Sequence, residues 1–139
     1  MNIAFFLLPK KDVICLSPGS TVRQALERME YHRYSAVPLL DDEGRYVGTI
    51  TEGDLLWALK NTPDLSLASI NKMRLQDIPC KVKNKTVPID AHIEDLVTLA
   101  IAQNFVPVVD DQEKFIGIIR RREIMEYCSQ LLMKPDAVS

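Results

Sequence analysis

Residues 36–56 read AVPLLDDEGRYVGTITEGDLL and residues 105–125 read FVPVVDDQEKFIGIIRRREIM. Pro38 matches Pro107, Asp41-Asp42 matches Asp110-Asp111, Tyr46 matches Phe115 and Gly48 matches Gly117, each pair 69 positions apart. A repeat at fixed offset means two copies of one supersecondary unit, each too small to bury its apolar face comfortably alone. The meeting of the two copies is therefore the first place to look for function.

Composition limits the alternatives. A chain of 139 residues suits one ordinary compact domain, and 47% hydrophobic residues with both charge signs interspersed read as globular. A formal net charge of −2 argues against a broad nucleic-acid-binding face. Cys15, Cys80 and Cys128 are odd in number and widely spaced, with no metal-binding or disulfide pattern, so a reduced, cytoplasmic setting is expected. The apolar run Ile3 to Leu8 is too short to span a membrane and lacks the basic leader and cleavage site of a signal peptide.

Along the chain, Met1 to Leu8 predicts one or two helical turns ended by Pro9. Asp12 to Leu16 predicts a short buried strand. Thr21 offers an N-cap, and Val22, Ala25, Leu26 and Met29 recur at helical spacing through His32. Val37 to Leu40 and Tyr46 to Thr51 predict a hairpin across an Asp-Asp-Glu-Gly turn, followed by a helix over 52–59. The second half repeats the order: a strand at Thr86 to Ile89, a helix at Ile93 to Gln103, a hairpin of Val106 to Val109 with Phe115 to Ile119, and a helix from Glu123 to Leu132. Each half thus reads β-α-β-β-α, its first two strands parallel because a helical crossover joins them. The polar stretch Lys60 to Asn71 reads as the linker, which divides the chain into 1–70 and 71–139.

The apolar-Pro-apolar-apolar-Asp strand (Val37 to Asp41), the strand reaching Val47-Gly48 and the helix start Thr51-Glu52-Gly53-Asp54 resemble a CBS domain, the module named after cystathionine β-synthase. Repetition of the block makes the whole chain resemble a tandem CBS pair. The resemblance implies an α/β (α+β) fold of two β-α-β-β-α repeats packed about a pseudo-two-fold axis, a Bateman module. The stretches Leu75-Gln76-Asp77-Ile78-Pro79 and Asn104-Phe105-Val106-Pro107 narrow the likeness to small stand-alone bacterial CBS-pair proteins. Some of those bind cyclic di-AMP through an arginine pair, matched here by Arg121 and Arg122. The insertion Cys80 to Lys85 departs from that pattern.

The resemblance also implies two ligand clefts. The first combines Thr51 and Asp54 with Ile78, Pro79, Cys80 and Val82 and with Asn104 and Phe105. The second combines Arg120, Arg121, Arg122 and Glu123 with Lys11, Asp12, Val13 and Ile14 and with Tyr34, Ser35, Ala36, Val37 and Pro38. In the first, Thr51 precedes a helix whose free N–H groups favour an anion, Asp54 would accept ribose hydroxyls, and Ile78 and Val82 would hold a flat base. The competing reading is that Thr51 caps the helix and Asp54 complements its dipole. In the second, Arg120 and Glu123 replace Thr and Asp. Three adjacent cations oppose the helix dipole unless an anion neutralises them, and the planar guanidinium suits phosphate. The competing reading is a solvated run paired with Glu123 and Glu126. Glu123, one methylene longer than Asp, weakens a ribose clamp and favours a cyclic dinucleotide over AMP or ATP. Tyr34 would stack on a base or pack at a helix end. Lys81, Lys83 and Lys85 form a one-face stripe that reads as edge protection or a phosphate patch.

No phosphate loop of the GxxxxGK[ST] kind occurs, and His32 and His92 have no nucleophile or cysteine beside them in sequence. No catalysis, cofactor or metal is expected. The expectation is a non-catalytic regulatory module that binds an adenine-containing nucleotide and acts in trans on a partner enzyme, as a homodimer, without nucleic acid or membrane. Trp57 reads as core or dimer contact, and Leu55, Leu59, Met125 and Leu132 as an exposed dimerising face. The alternative is a ligand-free adaptor homodimer that grips a partner protein.

Overall fold

The computed structural model describes residues 1–79 and 82–133. The chain forms two compact units, Ile14–Lys83 and a second made of Met1–Val13 together with the chain from Asn84 onward. The sequence division at 70/71 differs from this partition at both ends. Each unit draws part of its core from a segment remote from its own repeat block.

In the unit of residues 14–83, helix α1 (Val22–His32) opens on a capping box. The Gln24 N–H donates to Thr21 Oγ1 at 3.1 Å, and the Thr21 N–H donates to Gln24 Oε1 at 2.9 Å. The helix closes on Arg33 in the left-handed region, φ 59°. Strands β2 (Ala36–Leu40) and β3 (Tyr46–Thr51) pair antiparallel from Ala36 opposite Thr51, and helix α2 (Glu52–Asn61) follows directly. Asp41 Oδ1 holds the turn by accepting from the N–H groups of Glu43 and Arg45, both at 2.9 Å. Leu16 bridges Leu39 in parallel fashion. Val22, Ala25 and Met29 of α1 meet Val37, Leu39 and Ile50 of the hairpin and Leu55 and Ala58 of α2. Leu75 and Ile78, beyond the repeat block, complete this core.

The other unit repeats the plan. Strand β4 (Val87–Pro88) runs parallel to β5 (Phe105–Val109), which pairs antiparallel with β6 (Phe115–Arg120). Helix α3 (Val97–Ala102) lies between β4 and β5 in sequence, and α4 (Arg121–Met133) follows β6. The N-terminal segment contributes strand β1 (Leu8–Pro9), which pairs Leu8 with Ile118 and Pro9 with Gly117. It also contributes Ile3, fully buried among Ile93, Leu96, Val106, Ile119 and Ile124. In the first unit the position 69 before Ile118 is Thr49, and its bridge partner is Val82. Each hairpin is thus flanked by the lead-in of the other repeat. Glycine permits the approach. A Cβ on Gly117 would stand 2.3 Å from the Leu8 carbonyl oxygen, and one on Gly48 would stand 3.4 Å from that of Val82.

The second repeat follows the β-α-β-β-α order, and the first follows it with its opening strand reduced to the Leu16–Leu39 bridge; there are several further local departures. Asp12 to Leu16 is not a buried strand. Lys10–Asp12 forms a 3-10 turn with Lys11 and Asp12 exposed, and Leu16 alone pairs. The strand that does form nearby, Leu8–Pro9, belongs to the other unit and takes an edge position, where a proline costs no ladder hydrogen bond. Before it, the expected helical turns form as a 3-10 helix at Ile3–Phe6. The strand at Thr86 to Ile89 shortens to Val87–Pro88, and the helix from Ile93 begins as a 3-10 turn, Ile93–Leu96. Helix α4 starts at Arg121, which puts two of the three arginines inside its first turn. Leu55 does not join an exposed face, being 1% accessible in the core, and Leu59 packs against that core. Trp57, by contrast, is 55% accessible and is not core. Met125 and Leu132 are exposed as expected. Among the described residues no helix is long and apolar enough to cross a membrane.

Candidate functional site

The start of α2 is the junction of a hairpin and a helix. Thr51 ends β3 and caps α2: the Asp54 N–H donates to Thr51 Oγ1 at 3.1 Å, and the Thr51 N–H donates to Asp54 Oδ2 at 2.9 Å. The cap reading of this pair is therefore realised in the structure. The Glu52 N–H donates to the Ser35 carbonyl at 3.0 Å, which holds the lead-in of β2 against the first turn of α2. Tyr34, Ser35, Ala36, Thr51 and Asp54 thereby gather at one end of this unit.

The same junction recurs 69 residues on. The Arg121 N–H donates to the Asn104 carbonyl at 2.9 Å, the equivalent of the Glu52–Ser35 bond. Arg121 Nε adds a bond to the Gln103 carbonyl at 3.1 Å. Arg120 replaces Thr51, and its Nε donates to Glu123 Oε1 at 2.7 Å, with a second contact from Nη2. Arg122 turns to the surface and pairs with Glu126 at 3.1 Å. The three arginines leave the chain in three directions, as successive positions at a helix start must. Glu123 is mostly buried, and its Oε2 has no hydrogen-bond partner among the described residues. A buried carboxylate oxygen without a donor is costly, so this corner of the site is suited to a hydroxyl or amino group brought by a ligand.

The remaining candidates divide between the units. Lys11 and Asp12 lie in the 3-10 turn that packs beside β6, the strand that ends at Arg120. Val13 is half-buried and closes that turn through its N–H to the Lys10 carbonyl at 3.1 Å. Ile14, in the other unit, is half-buried and packs against its core. Val37 and Pro38 are buried in β2, so these positions offer backbone rather than side chain. Ile78 spends its side chain in the core at 2% accessibility, whereas Pro79 and Val82 are exposed. Cys80, and Lys81 of the lysine stripe, lie outside the described residues. Asn104 and Phe105 belong to the compact unit that does not contain Thr51 and Asp54. Tyr34 stacks on His32 at 5.4 Å between ring centroids and lines an apolar hollow between α1 and α2.

Gln103 escaped the sequence analysis as more than a helix end. It is buried, accepts from the Lys85 N–H through Oε1 at 2.8 Å, and donates through Nε2 to the carbonyls of Lys85 and Phe105, both at 3.2 Å. It ties the lead-in of β4 and the start of β5 to the residue whose own carbonyl receives Arg121. A lone glutamine between Ala102 and the apolar β5 was the available signal. Away from this junction, Glu94 accepts from the Tyr127 hydroxyl at 2.6 Å and from the Met1 amino group at 3.1 Å. The Tyr127 bond is the main cause that pushes the Glu94 carboxyl down to about 2, and in return the Tyr127 hydroxyl is pushed above its ordinary value.

Comparison with known proteins matches the family model described as "CBS domain" to residues 7–61 and 75–130. Inosine-5'-monophosphate dehydrogenase of Methanocaldococcus jannaschii is 31% identical over 118 residues. That match takes in 84% of this chain and 22% of the enzyme, so the chain spans under a quarter of that relative's length. The crystal structure of Listeria monocytogenes CbpB in complex with c-di-AMP superposes with a TM-score of 0.80 at 21% identity, covering 94% of this chain and 97% of that one. The structure of CBSX2 in complex with AMP superposes with a TM-score of 0.76 at 23% identity, over 94% and 97% of the two chains. At these identities the likeness establishes the fold.

Proposed function

The chain belongs to the CBS domain family as a tandem pair, and from that premise we propose that it is a non-catalytic sensor of an adenine-containing nucleotide. CbpB and CBSX2, which share its fold, have been seen with c-di-AMP and AMP respectively. The observation that carries the reading here is the helix start of α4. Arg121 is held by the carbonyls of Gln103 and Asn104, Arg120 is drawn to Glu123, and a buried Glu123 oxygen has no donor among the described residues. That group offers cations for phosphate and an acceptor for a hydroxyl or amino group, the two needs of a nucleotide. Glu123 in place of Asp favours cyclic di-AMP over AMP or ATP. The ligand acts as a regulator rather than a cofactor. Occupancy shifts the chain between two arrangements by the ligand's differential affinity for them, and a partner enzyme in the cytoplasm reads the shift in trans. The chain acts as a homodimer.

One observation favours a second reading for the first repeat. Thr51 and Asp54 satisfy each other and the helix end, so that position is complete without a ligand. If the same held for the second repeat, the protein would be an adaptor homodimer.

Thermal unfolding with AMP, ATP, cyclic di-AMP and S-adenosylmethionine separates the readings. A ligand at about 100 times its Kd adds roughly 2.7 kcal/mol, a rise of several degrees for a domain of this size. Arg121→Ala is expected to abolish the shift, while Asp54→Ala leaves it in place. No shift with any of the four ligands favours the adaptor.

A further inference from the structure

The Glu123 side chain is 16% accessible, and its Oε2 is buried with no hydrogen-bond partner among the described residues. Its Oε1 is already engaged, since Arg120 donates to it through Nε at 2.7 Å and through Nη2. A group carried by a ligand reaches Oε2 only after the Glu123 side chain turns, and that turn breaks the bonds to Arg120. Nor can Arg120 offer the same N–H groups to a phosphate while Glu123 holds them. Arg121 differs: its Nε donates to the Gln103 carbonyl, and its guanidinium has no carboxylate partner among the described residues. The first repeat has no such arrangement, because Asp54 there accepts from the Thr51 backbone N–H.

We propose that the Arg120–Glu123 pair is a closed latch within the nucleotide site, one that phosphate alone does not open. The inference rests on the nucleotide reading above and adds a rule for which ligands are admitted. Drawing Arg120 to a phosphate leaves Glu123 a mostly buried carboxylate without its cation, and a buried charge stripped of its partner is strongly unfavourable. An anion that carries no donor groups cannot relieve that penalty. A nucleotide can, because it brings a phosphate for Arg120 and a hydroxyl or amino group for Glu123 together. Arg121 is open to either kind of ligand and supplies attraction. The latch supplies discrimination, by a penalty on the wrong ligand rather than an extra contact to the right one.

The test is isothermal titration calorimetry of the whole chain with pyrophosphate and, separately, cyclic di-AMP, with circular dichroism to verify folding. The wild type is expected to bind pyrophosphate weakly. Glu123→Gln, nearly isosteric, is expected to tighten pyrophosphate binding about tenfold or more, because no charge is then stranded. Adding Arg120→Ala to that chain is expected to remove the gain. Glu126→Gln, which deletes a carboxylate of the same helix outside the latch, is expected to leave pyrophosphate affinity within a few fold of the wild type. No gain in Glu123→Gln overturns the proposal, as does a gain that survives Arg120→Ala or that Glu126→Gln reproduces. The wild type gives a readout that needs no stable variant at Glu123. The NMR signal of the Arg120 Nε–Hε group is expected to stay in place on addition of millimolar pyrophosphate, and a signal that moves overturns the latch. Pyrophosphate results that fail while cyclic di-AMP still binds remove the latch and leave the nucleotide reading standing. A pyrophosphate gain without any cyclic di-AMP binding does the reverse.

Discussion

The Arg120 guanidinium is ion-paired to the Glu123 carboxylate one turn into α4, at the positions that Thr51 and Asp54 fill at the start of α2. One junction has thus been built twice with different chemistry. In α2 a hydroxyl and a carboxylate exchange bonds with backbone N–H groups, so the pair belongs to the helix. In α4 the carboxylate is taken by a cation, and one of its oxygens is buried with no donor among the described residues.

Different costs follow for equivalent substitutions. Thr51→Ala removes a capping oxygen and is expected to cost about 1 kcal/mol, with Thr51→Ser close to neutral. Arg120→Ala removes the cation from a carboxylate that is mostly buried, and is expected to cost about 1–3 kcal/mol. Arg120→Ala combined with Glu123→Gln should recover part of that loss, because no charge then remains to be desolvated. Urea unfolding of the four chains measures this, and additive effects of Arg120→Ala and Glu123→Gln would contradict the coupling.

Gly117→Ala sets a methyl group 2.3 Å from the Leu8 carbonyl, where backbone must move. The expected loss exceeds about 2 kcal/mol, as for other steric conflicts in a core. Gly48→Ala, at 3.4 Å from Val82, is expected to cost markedly less. Hydrogen exchange at Leu8 and Ile118 should accelerate in the Gly117 variant and remain slow in the Gly48 variant.

The Glu94 carboxyl titrates near 2 instead of 4.5, chiefly because the Tyr127 hydroxyl donates to it. A depressed folded-state pKa stabilises the protein above the ordinary value, and that contribution is lost as pH falls from about 4.5 toward 2. Tyr127 is raised above its ordinary 10, so its contribution holds below 10 and fades as pH rises beyond it. Tyr127→Phe is expected to flatten the acid limb of a melting-temperature profile between pH 4.5 and 2. An unchanged acid limb would remove this assignment.

A fragment ending at residue 70 lacks Leu75 and Ile78, both in the core of the first unit. Emptying two such positions costs about 2–5 kcal/mol each, comparable to the stability of a small domain. The fragment 1–70 is expected to show no cooperative melting transition, and the fragment 14–83 to show one. The reverse outcome would mean that the compact units do not follow the burial pattern.

Fold class and element order were legible because their causes are local. Thr21 and Gln24 cap α1 through bonds spanning three residues, the Asp41 turn closes within four, and the strands around Pro38 and Pro107 are short continuous apolar runs. The candidate site was legible mainly as positions. The pairing of the arginine run with Glu123 and Glu126 was offered by spacing and forms at Arg120 and Arg122, whereas the Gln103 carbonyl as partner of Arg121 depends on which way a side chain leaves a helix start. Spacing limits that choice and does not settle it.

By itself the sequence determined that two like units exist, what each is made of, and where their helices begin, since propensity, capping and turn chemistry act over a few residues. Only the tertiary structure decided that Leu8 flanks β6 while Val82 bridges Thr49, and that Ile3 and Leu75 fill cores remote from their neighbours in sequence. Such choices rest on pairings dozens of residues apart, where the gain in buried area must exceed the entropy of closing the loop, and no local pattern records which closure wins.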